Sequence, residues 1–171
     1  MTKTIRQNNN LILAIALSSS GFGFAVLEGE RTLVDWGVKS VTGDKNAWIL
    51  KQIEKMIAHY QPGVLVLHDA AAKGSRRGPR IRKLTKEIVA MAASWKLKVT
   101  LLSREHVMQA FFIDGKGTKY TIAKVLAGRF PEELGPRLPR KRRAWEGEDS
   151  RMSIFDAVAL AFAKRLWRKD R

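Results

Sequence analysis

Cysteine is absent from this chain, which removes disulfides and thiolate-ligated zinc from its architecture without by itself assigning a reducing compartment. Histidine is scarce too. His59, His68 and His106 stand apart without metal-site spacing, so a histidine-based zinc centre is not expected either. No stretch reaches the roughly 18 consecutive apolar residues of a membrane span. The apolar run Leu11 to Ala16 lacks a signal-peptide cleavage region after it, so a cytoplasmic protein with no membrane partner is expected. The serines Ser18, Ser19 and Ser20 form no nucleophile elbow, and Gly21-Phe22-Gly23 lacks the remainder of a dinucleotide fingerprint. Negative charge is the most informative shortage. Sixteen Asp and Glu against thirty-two Lys and Arg leave a net charge of +16, more than solubility requires. A field of that sign steers polyanions toward the protein, and nucleic acid is the expected partner.

What is present reads as one globular domain. The 171 residues, 45% hydrophobic and 28% charged, are enough to bury a core, with no internal repeat and no linker. The expected division is a flexible N-terminus at 1–10, a folded domain at 11–167 and a basic tail at 168–171. Leu11 to Ala16 is continuously apolar over a strand's length, as in a strand covered on both faces. Turns at Ser18–Gly21 and Glu28–Glu30 separate it from strands at Phe22–Leu27 and Thr32–Lys39, which makes an antiparallel meander. Asp44 is placed to cap a helix with Ile49, Leu50, Ile53, Met56 and Ile57 at helical spacing, stopped by Gln61-Pro62-Gly63. Val64 to Leu67, ending in His68-Asp69, is then a buried parallel strand reached by a helical crossover.

After a Gly-rich basic loop from Ala70 to Pro79, the pattern predicts a helix over Ile81–Trp95 and a strand over Val99–Leu102. Shorter helices follow, one capped by Ser103 and running to Phe111, one capped by Thr118 and running to about Ala127. Gly135 to Gly147 is a surface loop, and Ser153 to Trp167 is a last helix with Ile154, Ala157, Val158, Ala161 and Phe162 inward. This order predicts an α/β protein with a ribonuclease-H-like three-layer fold. Its mixed five-stranded sheet has strands 1–3 antiparallel and strands 4–5 parallel.

Two basic clusters are candidates for the nucleic-acid surface. Lys73, Arg76, Arg77, Arg80, Arg82, Lys83 and Lys86 carry no intervening acid, and Gly74, Ser75 and Gly78 let backbone N–H groups approach phosphate. The second comprises Arg137, Arg140, Lys141, Arg142 and Arg143, with Trp145 placed either to stack on an exposed base or to pack on the domain. Lys116, Lys119 and Tyr120 extend this surface. The plainer alternative for any basic run is a solvated face.

With these elements in place, the chain resembles the RuvC-type Holliday-junction resolvases of the ribonuclease-H-like nuclease superfamily. The carrying segments are Ile15-Ala16-Leu17-Ser18-Ser19-Ser20-Gly21-Phe22-Gly23, Val64 to Asp69, and Ser153-Ile154-Phe155-Asp156-Ala157-Val158-Ala159-Leu160-Ala161. The resemblance implies a metal-dependent endonuclease for Holliday junctions or other branched DNA. Asp69 and Asp156 would be catalytic and metal-binding acids, Asp149 or Glu148 would reach in from the preceding loop, and Mg²⁺ or Mn²⁺ would be the cofactor. It further implies a homodimer, matched to a twofold junction, and a place at the nucleoid. Such nucleases hold two divalent ions about 4 Å apart between converging carboxylates.

Two positions depart from the pattern. Ala16 stands where the family has its first catalytic Asp, and Ser153 stands where the last acid has its partner. Ala16 reads as an engineered replacement, as a natural loss, or as a sign of a different register. The residue-level alternatives also stay open: Asp69 as a turn residue, and Asp156 as a favourable charge in the first turn of a helix. The second functional reading is accordingly a noncatalytic, structure-selective DNA- or RNA-binding module.

Overall fold

A computed structural model describes residues 6–43 and 45–169, with side chains through Leu166. Asp44 and the side chains of the expected tail at 168–171 lie outside the described residues. The strands are β1 (Asn8–Ser18), β2 (Gly21–Glu28), β3 (Thr32–Ser40), β4 (Pro62–His68) and β5 (Lys98–Leu102). The helices are α1 (Lys45–Tyr60), α2 (Pro79–Ser94), α3 (Arg104–Phe111), α4 (Lys119–Arg129) and α5 (Met152–Lys169). The five strands form one sheet in the order β3-β2-β1-β4-β5. The first three strands are antiparallel, and β1, β4 and β5 are mutually parallel.

β1 is the middle of the sheet because Leu11 to Leu17 are all apolar and all buried. Its side chains alternate between two cores, as the pleat requires. Leu11, Leu13, Ile15 and Leu17 face α1 and α2, whereas Ile12, Ala14 and Ala16 face α5 and its neighbours. This gives the three layers expected. The strand begins earlier than Leu11: the Asn8 N–H donates to the Gln61 carbonyl at 2.8 Å, and the Asn10 carbonyl accepts from Gly29 N and Arg165 Nη2. Asn8 to Asn10 thus belong to the sheet and not to a flexible segment ending at residue 10. Likewise Pro62 and Gly63 open β4 directly, and the turn out of α1 is made by Gln61, at a φ of 50°.

α5 buries the five residues expected to face inward and more besides. From Met152 to Ala163 every residue but Asp156 is buried, because β1 and β2 cover one side of the helix and α3 and α4 the other. A helix apolar all round is a core helix. Its close seat on the sheet depends on Gly23: a Cβ there would lie 2.1 Å from the Ser153 carbonyl oxygen and 2.3 Å from its carbon. Gly23 is also the partner of Ala16 across the β1–β2 ladder. At the far end of α1, Tyr60 Oη donates to Asp35 on β3, whose other carboxylate oxygen accepts from Trp36 N at 2.9 Å.

Two outcomes are expected. Gly23→Ala forces α5 off the sheet and destabilises the protein by about 1–3 kcal/mol in urea unfolding, the range for overpacked cores. An unchanged unfolding midpoint would contradict the close contact. Burial and the Asp35 carboxylate push the Tyr60 hydroxyl up to about 12. The folded state therefore holds this proton more tightly than the unfolded one. Its contribution is complete below pH 10 and is lost as pH rises toward 12. Wild type should lose stability relative to Tyr60→Phe over that window, and parallel pH curves would show that the bond contributes nothing.

Candidate nucleic-acid interface

The carboxyl ends of parallel strands are where open α/β sheets place ligands. Here the ends of β4 and β5, the loop after β4, and the N-terminal turns of α3, α4 and α5 surround a cavity of about 480 Å³. His68 and Asp69 stand at the end of β4. Lys73, Arg76 and Arg77 come from the following loop, Arg104 from α3, Lys119 from α4, Glu148 from the loop before α5, and Asp156 from α5. Val107, Met108, Ile122 and Phe155 supply apolar surface among them.

Each polar group has a local cause. Asp69 N–H continues the β4–β5 ladder onto the Leu102 carbonyl at 2.8 Å, while its Oδ1 accepts from Ala71 N at 3.1 Å and turns the chain into the basic loop. Asp69 is thus both the turn residue of the plainer reading and a lining residue of the cavity. Ser103 caps α3, its side chain accepting from His106 N. Thr118 and Thr121 form a reciprocal capping box that fixes the first turn of α4 and with it Lys119. The loop after β4 is tied back to β1: Arg77 Nη1 donates to the Leu17 carbonyl at 2.6 Å, and Arg80 reaches Asn46 Oδ1 at 2.9 Å and the carbonyls of Ser18 and Ser19 at 3.4 Å.

Lys119 is turned to acids. Its Nζ lies 3.3 Å from both Glu148 carboxylate oxygens and 3.4 Å from Asp156 Oδ2. Burial pushes the Asp156 carboxyl above its ordinary range and the Glu148 charge adds to this, while Lys119 and Arg77 pull it down. Burial, reinforced by Arg77 and Lys119, pushes His68 down to about 3, so its imidazole is neutral at physiological pH. His68 Nδ1 is buried without a hydrogen-bond partner among the described residues.

The expected acids are only partly brought together. Asp69 and Asp156 line one cavity, and Asp149 does not. Arg151 holds Asp149 with its Nε at 3.1 Å, its Nη2 at 2.8 Å and its backbone N–H at 2.9 Å, which also keeps the carboxyl below its ordinary range. Glu148, one position earlier, faces inward instead. Ser153 Oγ donates to the Ser150 carbonyl at 2.8 Å and is buried, and Ala16 is 1% exposed within the core. Neither offers a ligand to the cavity. Among the described residues no three His, Asp or Glu side chains are grouped to hold a metal ion. The donor set does not fit a two-metal centre: Ala16 is a buried methyl, Asp149 is paired outward, Glu148 and Asp156 share the Lys119 ammonium, one Asp69 oxygen is taken by Ala71 N, and Glu105, which lines the cavity from α3, forms no metal-holding group with them.

The basic residues separate into three groups. Lys73, Arg76 and Arg77 rim the cavity, joined by Arg104, which sequence reasoning misses although it follows the Ser103 cap at the end of a parallel strand. Arg82 and Lys83 are exposed on α2, and Lys116 is exposed in the turn before α4, where its N–H donates to Asp114. The loop before α5 folds around Glu146, which accepts from Arg140 at 2.9 Å through its carboxylate and from Arg142 at 2.9 Å through its carbonyl. Lys141 is exposed. Arg143 sits 5.5 Å from the centre of the Trp145 ring, which is itself 78% exposed and does not pack on the domain.

No family model and no curated protein matches this chain in sequence. Solved structures do match it. The Thermus thermophilus RuvC structure superposes with a TM-score of 0.69 at 13% identity, covering 94% of this chain and 96% of that one. T. thermophilus RuvC in complex with Holliday junction substrate gives 0.68 at 14% identity, with coverage of 94% and 95%. The yeast mitochondrial Holliday junction resolvase Ydc2 gives 0.66 at 12% identity, with coverage of 96% and 81%. The fold is therefore ribonuclease-H-like. Within that class it is RuvC-like, over nearly the whole chain.

Arg77→Met removes a charge-assisted bond to the Leu17 carbonyl, which should cost about 1.5–3 kcal/mol. Amide exchange of residues 70–78 should accelerate in the same variant. Unchanged exchange would show that the loop is held by other contacts.

Proposed function

We propose that this protein binds branched nucleic acid, with four-way DNA junctions favoured, and does not cut it. The observation that carries this reading is the pairing of a basic-rimmed cavity, at the functional end of a RuvC-like sheet, with positions Ala16 and Ser153 that offer it no ligand. Charge supplies affinity. Phosphates are attracted by Lys73, Arg76 and Arg104 at the rim and by Lys141, Arg143 and Lys116 beyond it, and Trp145 is exposed enough to stack on an unpaired base. Hydrolysis by two metal ions requires carboxylates converging on both ions. The residues present do not supply them.

Among the described residues no helix is long and apolar enough to cross a membrane. A DNA-binding role would place the protein at the nucleoid, and a twofold junction would suit a homodimer. Metal-dependent junction cleavage is the competing reading, favoured by the superposition on a resolvase bound to its junction.

Fluorescence anisotropy tests the binding reading with a four-way junction and a linear duplex of equal length across a salt series. The junction should bind more tightly, with affinity falling as salt rises. Replacing Lys73, Arg76, Lys141 and Arg143 by Gln should reduce the salt slope by about 0.9 for each phosphate that is no longer neutralised. Equal affinity for junction and duplex would contradict structure selection, and an unchanged slope would contradict the assigned surface.

A further inference from the structure

We propose that the Lys119 ammonium is the resident cation of this site, standing between Glu148 and Asp156 where a resolvase fold would need a divalent ion, so that the wild-type cavity is indifferent to Mg²⁺ and Mn²⁺. The inference rests on the functional reading above and sharpens it, by stating which cation the site uses. Three carboxylate oxygens from two separate elements surround one nitrogen at 3.3–3.4 Å. That is the spacing of a shared ion pair. Lys119 is held there by the capping box of α4, and it stands at the mouth of the cavity with 42% of its side chain exposed, above an Asp156 side chain that is 16% exposed.

The surrounding charges favour this arrangement over a metal. Arg77 is a second fixed cation close enough to act on both Asp156 and His68. A divalent ion entering between Glu148 and Asp156 would meet Lys119 and Arg77 at short range, in a partly buried setting where water screens poorly. It would also find few free oxygens. Mg²⁺ demands near-octahedral oxygen coordination. One Asp69 oxygen already accepts from Ala71 N, and the Ala16 methyl offers nothing. The ammonium has a single charge and three donors, and of the four carboxylates that line the cavity it pairs with two, Glu148 and Asp156, without further ligands. Lys119, expected from sequence among the phosphate contacts, is thereby committed first to carboxylates. It also neutralises them, so that phosphate can approach a rim whose acids would otherwise repel it.

The test uses the full chain, Mn²⁺ as probe, and solution EPR of free Mn²⁺ with thermal unfolding as a second readout. Wild type should leave Mn²⁺ free at millimolar concentration, and its unfolding temperature should be the same in Mn²⁺ and in chelator at matched ionic strength. Lys119→Gln exposes two acids and should raise Mn²⁺ affinity at least about tenfold, the scale of removing one nearby charge from a partly buried site. Adding Glu148→Gln to that variant should abolish the gain, and Lys119→Arg should behave as wild type. Loss of the free Mn²⁺ signal on adding wild type at millimolar concentration would overturn the proposal, and this arm does not depend on any variant folding. A Lys119→Gln protein that folds and gains no Mn²⁺ affinity would overturn it as well. Failure of the functional reading is seen separately: a wild type that ignores Mn²⁺ yet does not bind a junction in chelator keeps its lysine-held site and loses its assigned substrate.

Discussion

The backbone contact between Gly23 and the first turn of α5 sets the geometry of the whole functional end. With no Cβ at residue 23, the Ser153 peptide lies directly on β2, opposite Ala16. The helix can then be enclosed between the sheet and the pair α3 and α4, and the one charged side chain in its buried part, Asp156, is delivered to the cavity. Burial on this scale is favourable for the apolar residues of α5 and costly for that carboxylate. The cost is offset by Lys119, a neighbour contributed by a different helix.

Electrostatics then divides the site into an interior and a rim. Inside, Lys119 and Arg77 stand among Asp156, Glu148 and a neutral His68. At the rim stand Lys73, Arg76 and Arg104, with Asp69 and Glu105 in the same lining, and the loop carrying the first two is fastened to β1 by Arg77 and Arg80. Arginine is suited to this double duty because its planar fork spans more than one carbonyl while staying charged. The arrangement is consistent with holding a phosphate backbone, whereas the donors needed to hold two metal ions are missing from the side on which Ala16 and Ser153 lie.

Much of the fold is legible in the sequence because its signals are local. The unbroken apolar run at Leu11, the turns after Ser18 and Glu28, and the caps at Ser103 and Thr118 each depend on neighbouring residues, and the corresponding elements form there, the first strand starting three residues earlier at Asn8. The chemistry of the site depends on distant pairs. Lys119 reads as one more cation beside Lys116 because its partners lie 29 and 37 positions further on. Arg77 reads as a free phosphate contact because its carbonyl partner lies 60 positions back. Asp149 and Glu148 are adjacent, and only the arginine two positions after Asp149 decides which of them turns inward.

The central claim is that a resolvase fold here grips branched DNA with side-chain cations and leaves it intact. An end-labelled four-way junction incubated with the protein, once in chelator and once in Mn²⁺, and resolved on both native and denaturing gels, tests it most directly. The account predicts a retarded complex of equal affinity in both conditions and full-length strands in both. Nicked strands that appear only with Mn²⁺, in amounts that scale with the protein, would contradict it.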